Sequence, residues 1–311
     1  MENNLSSTQG KEKIEREYGF KNVRSNYMLK KMFNFLRKKK LLEIIHYCKT
    51  IQKRLNIDIN DFKEYLEIYS AIEIIITPIR NKYGKFVNIK KGEESYYHIY
   101  FNDNEKEENI YRIERGNNIH KIKIIIDYQI ISFSKLFFSC NCIRYIYFKK
   151  FNRNNINDMF RMFSGCKYLK KIDLSNFNTN SVTDMSGMFS GCESLEELNL
   201  SNFYTNNVIT MNSMFNNCSS LIELNLSNFN TNNVIYMSNI FEGCSSLEKL
   251  NLSNFNVDKL IESDFMFGKC PSLKSLNLSL NFEEYLKKIK NISSFPKKNI
   301  FDECPLLKKY I

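Results

Sequence analysis

The sequence contains no tryptophan and only three histidines among its 311 residues. The histidines, His46, His98 and His120, lie in different segments, and none belongs to a Ser/His/Asp or Cys/His arrangement that nucleophilic catalysis needs. The glycines have no phosphate-binding spacing, and no Cys-x-x-Cys pair is present, since a single residue separates Cys140 from Cys142. These absences predict a protein that is not an enzyme and that uses no metal or cofactor.

Long apolar runs are also missing. No stretch approaches the roughly 20 apolar residues that a membrane-spanning helix needs. The segment Met1–Ser6 is polar and lacks the apolar core of a secretory signal. The sequence therefore predicts a cytoplasmic protein without a transmembrane segment.

Charge, in contrast, is abundant and unbalanced, with a net charge of +11. A basic balance is one mark of nucleic-acid binding, but the excess here is scattered or concentrated near the N-terminus. We therefore expect no nucleic-acid partner. Hydrophobic residues make up 43% of the chain and aromatic residues 14%, which excludes global disorder.

Cysteine recurs with a fixed period. Six cysteines are spaced by 26 residues, namely Cys140, Cys166, Cys192, Cys218, Cys244 and Cys270. Cys304 follows 34 residues after Cys270, so the last unit carries an insertion of 8 residues. A period of this length predicts a solenoid in which each repeat buries its apolar face against its neighbours. We number repeats 1 to 6 by these cysteines and count positions within a repeat from its cysteine.

Each repeat combines two apolar spacings. In repeat 3, Leu198 and Leu200 alternate with polar residues, which is typical of a half-buried strand. The polar run 202–207 suits a turn. Apolar residues then follow at spacings of three and four, which predicts a short helix or 3₁₀ turn over Val208, Met211, Met214, Phe215 and Cys218. The predicted fold class is α+β, with one strand and one short helix per repeat.

The end of repeat 2 carries a motif, Asp184-Met185-Ser186-Gly187-Met188-Phe189-Ser190-Gly191-Cys192. The stretches Met211 to Cys218 and Met237 to Cys244 repeat it, with Ile240 in place of one methionine. Together with a Leu-Ser-Asn-Phe corner, the motif resembles the BspA-like leucine-rich repeat of bacterial surface proteins. The resemblance implies a leucine-rich-repeat solenoid over residues 121–311.

The corner of each repeat differs from that of ordinary leucine-rich repeats, which place asparagine where this chain has Phe177, Phe203, Phe229 and Phe255. The resemblance therefore implies a corner held by a phenylalanine stack and not by an asparagine ladder. A serine row is expected to assist it, at Ser175, Ser201, Ser227 and Ser253. The repeat cysteines are predicted to be small, buried and free, because in-register side chains point the same way and not toward one another.

The N-terminal part is organised differently. Residues 1–20 are predicted to be mobile, and residues 21–70 have the apolar spacing of helices. Within them, Met32-Phe33-x-x-Leu36, then Leu41-Leu42 and Tyr47-Cys48-Lys49-x-Ile51, resembles the core of an F-box. The resemblance implies docking onto the adaptor subunit of a cullin–RING ubiquitin ligase through Leu29, Phe33, Leu36, Leu41 and Leu42. The usual opening Leu-Pro is missing and Arg37–Lys40 replaces the usual corner, so an amphipathic helical hairpin is the alternative.

The solenoid is predicted to have distinct ends. Residues 71–120 alternate apolar runs with turn residues, which predicts a small β-rich segment. A strand over 121–127 and the apolar residues up to Cys140 predict a degenerate first coil, 121–140, that caps the solenoid. At the other end, the insertion 281–299 can form a helix over Glu283–Lys288, and 307–311 is predicted to be a last strand.

Exposed strand positions of a solenoid form a continuous face that commonly binds partners. The candidate partner-binding residues are Asp173, Glu197, Asn199, Glu223, Asn225, Lys249, Asn251 and Asn277. The alternative is a solvated sheet surface on which the asparagines bond to one another. Three functions stay open: a non-enzymatic protein-recognition scaffold, an F-box-like substrate adaptor, and a surface adhesin exported by an unrecognised route. We expect the first, because no catalytic set accompanies the repeats.

Overall fold

A computed structural model describes residues 25–27, 51, 53, 54, 70–127, 129–291 and 300–310. The chain divides into two compact units, Met1–Tyr69 and Ser70–Ile311. In the first unit, Arg54 Nε donates a hydrogen bond of 3.0 Å to Asn26 Oδ1, and both residues are helical. The predicted mobile terminus 1–20 lies outside the described residues, as do the F-box-like docking residues Leu29, Phe33, Leu36, Leu41 and Leu42.

The second unit combines strands and a helix, so the predicted α+β class is confirmed. Its strands are β1 (Ile72–Pro78), β2 (Gly84–Lys85), β3 (Tyr97–Phe101), β4 (Arg112–Ile113), β5 (Ile122–Ile126), β6 (Ile143–Lys150), β7 (Lys171–Asp173), β8 (Glu223–Leu224), β9 (Lys249–Leu252) and β10 (Ser275–Leu278). Its described helices are α1 (Leu280–Asn291) and two 3₁₀ helices, Glu94–Tyr96 and Pro305–Tyr310.

Of the two elements predicted near the C-terminal end of the chain, the helix is present and the strand is not. The helix expected over Glu283–Lys288 is confirmed as part of α1. The last strand predicted over 307–311 is wrong, because Pro305–Tyr310 is a 3₁₀ helix. Pro305 has a fixed φ and no N–H, which favours the start of a helical turn over pairing with a strand.

The largest sheet has five strands in the order β3-β5-β1-β6-β7. Strand β1 pairs antiparallel with both β5 and β6, and β6 pairs parallel with β7. Alternate isoleucines of β1 and β5 are buried, as period-two patterning requires. The strand predicted over 121–127 is present as β5, but it pairs with β1 and β3 and does not stack on repeat 1. Strand β1 therefore joins the N-terminal strands to the first repeat.

Successive repeats lie in parallel register. In the sheet β10-β9-β8, Leu250 pairs with Leu224 on one side and Leu276 on the other. On the other side of the repeats, single parallel bridges join residues at the period of the sequence, at Ser132, Asp158, Asp184, Thr210, Tyr236 and Glu262. In repeat 3, Leu195, Leu198 and Leu200 are buried as expected, but residues 195–200 form no strand. This gap separates the sheet that ends at β7 from the one that begins at β8.

The sequence predicted a short helix or a 3₁₀ turn in the second half of each repeat, and the short helix is wrong. Those residues form successive turns, and two of them per repeat have left-handed backbone. One set has φ between 51° and 60°, at Lys135, Arg161, Gly187, Ser213, Asn239 and Phe265. The other has φ between 53° and 74°, at Ser139, Gly165, Gly191, Asn217, Gly243 and Lys269. An α-helix cannot pass through such residues.

Backbone hydrogen bonds explain why turns replace the helix. Met162 N–H donates to Met159 O within the repeat at 3.1 Å, whereas Phe163 N–H donates to Met188 O of the next repeat at 2.8 Å. Alternate N–H groups thus bond within and between repeats. Two consecutive turns also place apolar residues three and four apart, so the spacing that predicted a helix fits both structures.

The corner is held by an asparagine ladder, contrary to the expectation from the resemblance. Asn202 Nδ2 donates to the carbonyl oxygens of Leu174 and Phe177 in the preceding repeat, at 2.9 and 2.7 Å. Equivalent bonds come from Asn176, Asn228 and Asn254. The ladder therefore occupies the residue before the corner phenylalanine. It gives the Phe177 carbonyl a donor and adds a second donor to the Leu174 carbonyl, which already accepts the Phe177 N–H at 2.9 Å.

The regular phenylalanine column lies in the turn half of the repeats and not at the corner. Neighbouring rings are stacked at 5.3–5.9 Å along Phe137, Phe163, Phe189, Phe215, Phe241, Phe267 and Phe301. Corner rings also stack, as Phe177 does on Phe203 at 6.0 Å. The described cysteines are free and buried, as predicted. From Cys166 to Cys270, each repeat thiol donates to a phenylalanine carbonyl 29 residues earlier, as Cys218 Sγ does to Phe189 O at 3.1 Å.

Candidate binding surface on the exposed strand face

The predicted partner-binding residues lie on one side of the repeats, which we call the strand face. It comprises the outward side chains of β6 to β10 and of residues 196–199. In β9, Lys249 and Asn251 are exposed while Leu250 and Leu252 are buried, and β10 has the same alternation. Seven of the eight predicted residues are exposed, and Asp173 is half-buried. Period-two geometry on parallel strands thus puts one polar surface over one leucine core.

Some asparagines of this face form hydrogen bonds with one another or with nearby backbone. Asn277 Nδ2 donates to Asn251 Oδ1 at 3.1 Å, and the two residues are partners in the β9–β10 register. Asn225 Oδ1 accepts the backbone N–H of Ser227 at 3.0 Å, and Asp173, Asn199 and Asn251 make the equivalent bond. These side chains therefore have fixed conformations, and part of their hydrogen-bonding capacity is used within the chain.

Ion pairs between neighbouring repeats border the face. Lys170 Nζ lies 3.0 Å from Glu196 Oε1, and Lys274 Nζ lies 3.1 Å from Glu248 Oε1. All four residues occupy position +4 of their repeats. Because these side chains are 44–61% exposed, each pair contributes about 0–1 kcal/mol to stability. They fix the charge pattern of the surface more than they stabilise the fold.

The strand face extends further than the sequence analysis placed it. Tyr145 and Tyr147 of β6 are 37% and 41% exposed. In the parallel register with β7 they pair with Lys171 and Asp173. Sequence reasoning missed them because it began the face at repeat 2. The signal was available, since the two tyrosines lie one period, 26 residues, before Lys171 and Asp173.

A buried arginine in repeat 1 was also missed. Arg153 is fully buried and stands at position +13, where later repeats place the buried residues Thr179, Thr205 and Thr231. Its guanidinium donates to Asp127 O at 3.0 Å, to Asn155 Oδ1 at 3.1 Å, and to Ile130 O. Burial lowers the pKa of Arg153 to about 10. Its hydrogen bonds join the end of β5 to repeat 1.

The thiols of the repeats are held in an unreactive state. Burial raises the pKa of Cys166 to about 12 and that of Cys142 to about 11. Since the thiolate is the nucleophile and the metal ligand, these side chains serve the core. In the part of the chain that the structure describes, no three His, Cys, Asp or Glu side chains form a group that could hold a metal ion. Nor is any described helix both long and apolar enough to span a bilayer.

The repeats match a known family model, described as "Mycoplasma protein of unknown function, DUF285", over residues 131–225 and 196–302. The two matches together span more than half of the chain. The chain belongs to the DUF285 family. The DUF285 matches overlap, as expected where one repeating pattern can be matched in more than one register. Neither a curated protein nor a solved structure matches the chain.

The DUF285 region contains the whole strand face. The eight predicted residues lie within 131–302, as do Tyr145 and Tyr147. The strands β1 and β3, which continue the first sheet beyond repeat 1, lie outside the matched residues. In this DUF285 chain, that part of the sheet thus precedes the matched residues.

Proposed function

We propose that this chain is a non-enzymatic protein-recognition scaffold built on a leucine-rich-repeat solenoid, with the strand face as its binding surface. The observation that carries the proposal is the contrast between two neighbouring positions of each repeat. Position +6 is always aliphatic and buried, at Ile146, Ile172, Leu198, Leu224, Leu250 and Leu276. Position +5 is exposed and chemically varied, at Tyr145, Lys171, Glu197, Glu223, Lys249 and Ser275.

A constant frame with varied outward residues suits recognition better than catalysis. The frame fixes the outward side chains at intervals of about 4.8 Å across neighbouring strands. Specificity then arises from which charges and rings the varied positions carry. A purely solvated surface needs only polar residues, whereas this face includes Tyr145 and Tyr147, and the 55%-exposed Ile222 borders it. Aromatic residues are enriched at protein interfaces.

The test is partner capture by the full chain and by single variants of the face. Each exposed residue at position +5 is replaced in turn by alanine, apart from Ser275, and bound proteins are identified from cells of the source organism. Lys259→Ala is the matched control, because Lys259 is an exposed lysine just beyond the corner of repeat 5. We expect at least one face variant to lose a partner that wild type and control retain. Identical partner sets for all variants would contradict the proposal.

A further inference from the structure

One end of the strand face, together with the loops beside it, combines the exposed Arg144 and Lys171 and the half-buried Lys82 with exposed tyrosines. We call it the basic–aromatic surface and define it by Lys82, Arg144, Tyr145, Tyr147, Tyr168 and Lys171. We propose that this surface binds an acidic segment of a protein partner. The inference rests on the proposed function, and it adds where on the face the partner binds and what chemistry it presents.

Four of the six residues lie on the paired strands β6 and β7, and Lys82 and Tyr168 lie in the adjoining loops. Tyr145 pairs with Lys171 across β6 and β7, and Tyr147 follows Tyr145 on the same side of β6. The backbone N–H of Lys170 donates to Arg144 O at 2.9 Å, which holds the start of β7 beside Arg144. Lys82 Nζ lies 3.1 Å from the ring centroid of Tyr168, so the loop after β1 closes the surface on that side.

Arg144 lies at position +4 of repeat 1 and is exposed together with Tyr145 at position +5. Positions +4 and +5 are both exposed in repeats 2, 3, 4 and 6 as well, so this pair follows the pattern of the repeats. The β1–β6 register passes from Thr77–Tyr145 directly to Pro78–Ile143, so Arg144 also has no partner on β1. Position +4 of repeat 1 thus adds a guanidinium to the tyrosine row.

The cations of this surface lack acidic partners. In residues 70–127, 129–291 and 300–310, no carboxylate lies within ion-pair distance of Lys82, Arg144 or Lys171. Lysines just outside the surface are paired, as Lys170 is with Glu196 and Lys167 with Glu193. Three unpaired cations in one patch favour a ligand that supplies negative charge.

The rings indicate that the ligand is a protein and not a nucleic acid. Lys82 lies over the ring of Tyr168, and the guanidinium carbon of Arg144 lies 5.3 Å from the ring centroid of Tyr145. These cation–π contacts occupy a ring face that a base would need for stacking. The next repeat exposes Glu196 and Glu197, which repel a continuing phosphate backbone. A short acidic segment with apolar side chains satisfies the cations and packs on the ring edges.

The test uses the full chain to select peptides from a random display library. Arg144→Glu combined with Lys171→Glu is the disruptive variant. Its matched control is Lys249→Glu combined with Lys274→Glu, which makes the same charge change at the same repeat positions of neighbouring repeats. We expect selected peptides to carry excess Asp and Glu. Their affinity should fall about tenfold or more with the disruptive variant and less than twofold with the control.

Tyr145→Ala provides a second variant that leaves the charge unchanged, and it should weaken the same peptides severalfold. Circular dichroism of every variant checks that the fold is retained. If no acidic peptides are selected, or if they bind the disruptive variant as well as wild type, the inference is overturned. Peptides that depend on the control residues instead overturn it while supporting the strand face as the binding surface. Binding of a single-stranded oligothymidylate that depends on Arg144 and Lys171, without acidic peptides, overturns it in favour of nucleic acid.

Discussion

At the scale of single residues, the repeat cysteines link stability to pH. Burial raises the pKa of Cys166 and of Cys244 from the ordinary 9.0 to about 12. Below pH 9 both the folded and the unfolded chain keep these protons, so the thiols do not make stability depend on pH. Between those two pKa values the unfolded chain releases protons that the folded chain keeps. The free energy of unfolding therefore falls as pH rises through this window.

We expect wild type to lose at most about 1.4 kcal/mol per pH unit for each such thiol in that window. Cys244→Ala removes one thiol and should lose stability less steeply than wild type. Urea unfolding of both proteins at pH 8 and pH 10 measures the difference, and groups common to both proteins cancel. Equal losses between the two pH values would contradict the role of the thiol.

Some functional residues can be predicted from the sequence and others cannot. The outward placement of the eight predicted face residues follows from period-two patterning, which a sequence displays directly. Arg153 could not be predicted by type, because arginine is ordinarily exposed. Its position was informative, since +13 is buried in every later repeat from Thr179 to Val257. The partners of Arg153, two carbonyl groups near the end of β5, depend on tertiary placement that no local pattern contains.

At the scale of elements, the turns leave different amounts of space for a side chain at two equivalent glycines. Gly191 and Gly243 occupy the same repeat position, with φ of 72° and 74°. A Cβ added at Gly191 would meet Gly165 at an ordinary 3.5 Å, whereas one added at Gly243 would overlap the Asn217 side chain. We expect Gly191→Ala to cost about 1 kcal/mol from backbone strain alone. Gly243→Ala should cost about 2 kcal/mol or more, because crowding adds to the strain.

Urea unfolding of the two alanine variants checks this order. Gly191→Ala is the control for backbone strain, since it shares the left-handed conformation and lacks the close contact. Equal costs would indicate that Asn217 moves aside without penalty. Two substitutions without effect would contradict the left-handed turns themselves.

The elements differ in how well the sequence predicts them. The isoleucine strand β1 and helix α1 follow from local patterns. The turn half does not, because two consecutive turns and a short helix both space Met159, Met162 and Phe163 three and four apart. Their hydrogen bonds decide between these structures, and half of them go to the next repeat. Local patterns also do not show hydrogen bonds between repeats, so they could not predict the asparagine ladder, whose acceptors lie 25 and 28 residues away in sequence.

At the scale of the whole molecule, rows of contacts connect only neighbouring repeats. The asparagine, threonine and cysteine bonds each span close to one period, as Thr205 Oγ1 does in donating to Asn230 O, 25 residues on. Removing a complete period should therefore leave every row continuous. Stability in such arrays is approximately a sum over repeats and their interfaces.

We expect deletion of residues 218–243, one full period, to give a folded protein with a wild-type circular dichroism spectrum and a lower urea midpoint. Deletion of residues 218–230 is the matched control. It removes half a period, places turn residues against strand residues, and should abolish cooperative unfolding. A folded half-period variant, or an unfolded full-period variant, would contradict neighbour-only stabilisation.

The phenylalanine column has an optical consequence. Seven nearly parallel rings lie at even intervals along the repeats, with adjacent planes 2–12° apart. The chain contains no tryptophan, so only tyrosine absorption overlaps the sharp fine structure of phenylalanine in the near ultraviolet. Coupling between fixed neighbouring rings gives that fine structure a chiral signal, which vanishes when the rings turn independently. Near-ultraviolet circular dichroism of the unlabelled protein should therefore report whether the repeats stay aligned.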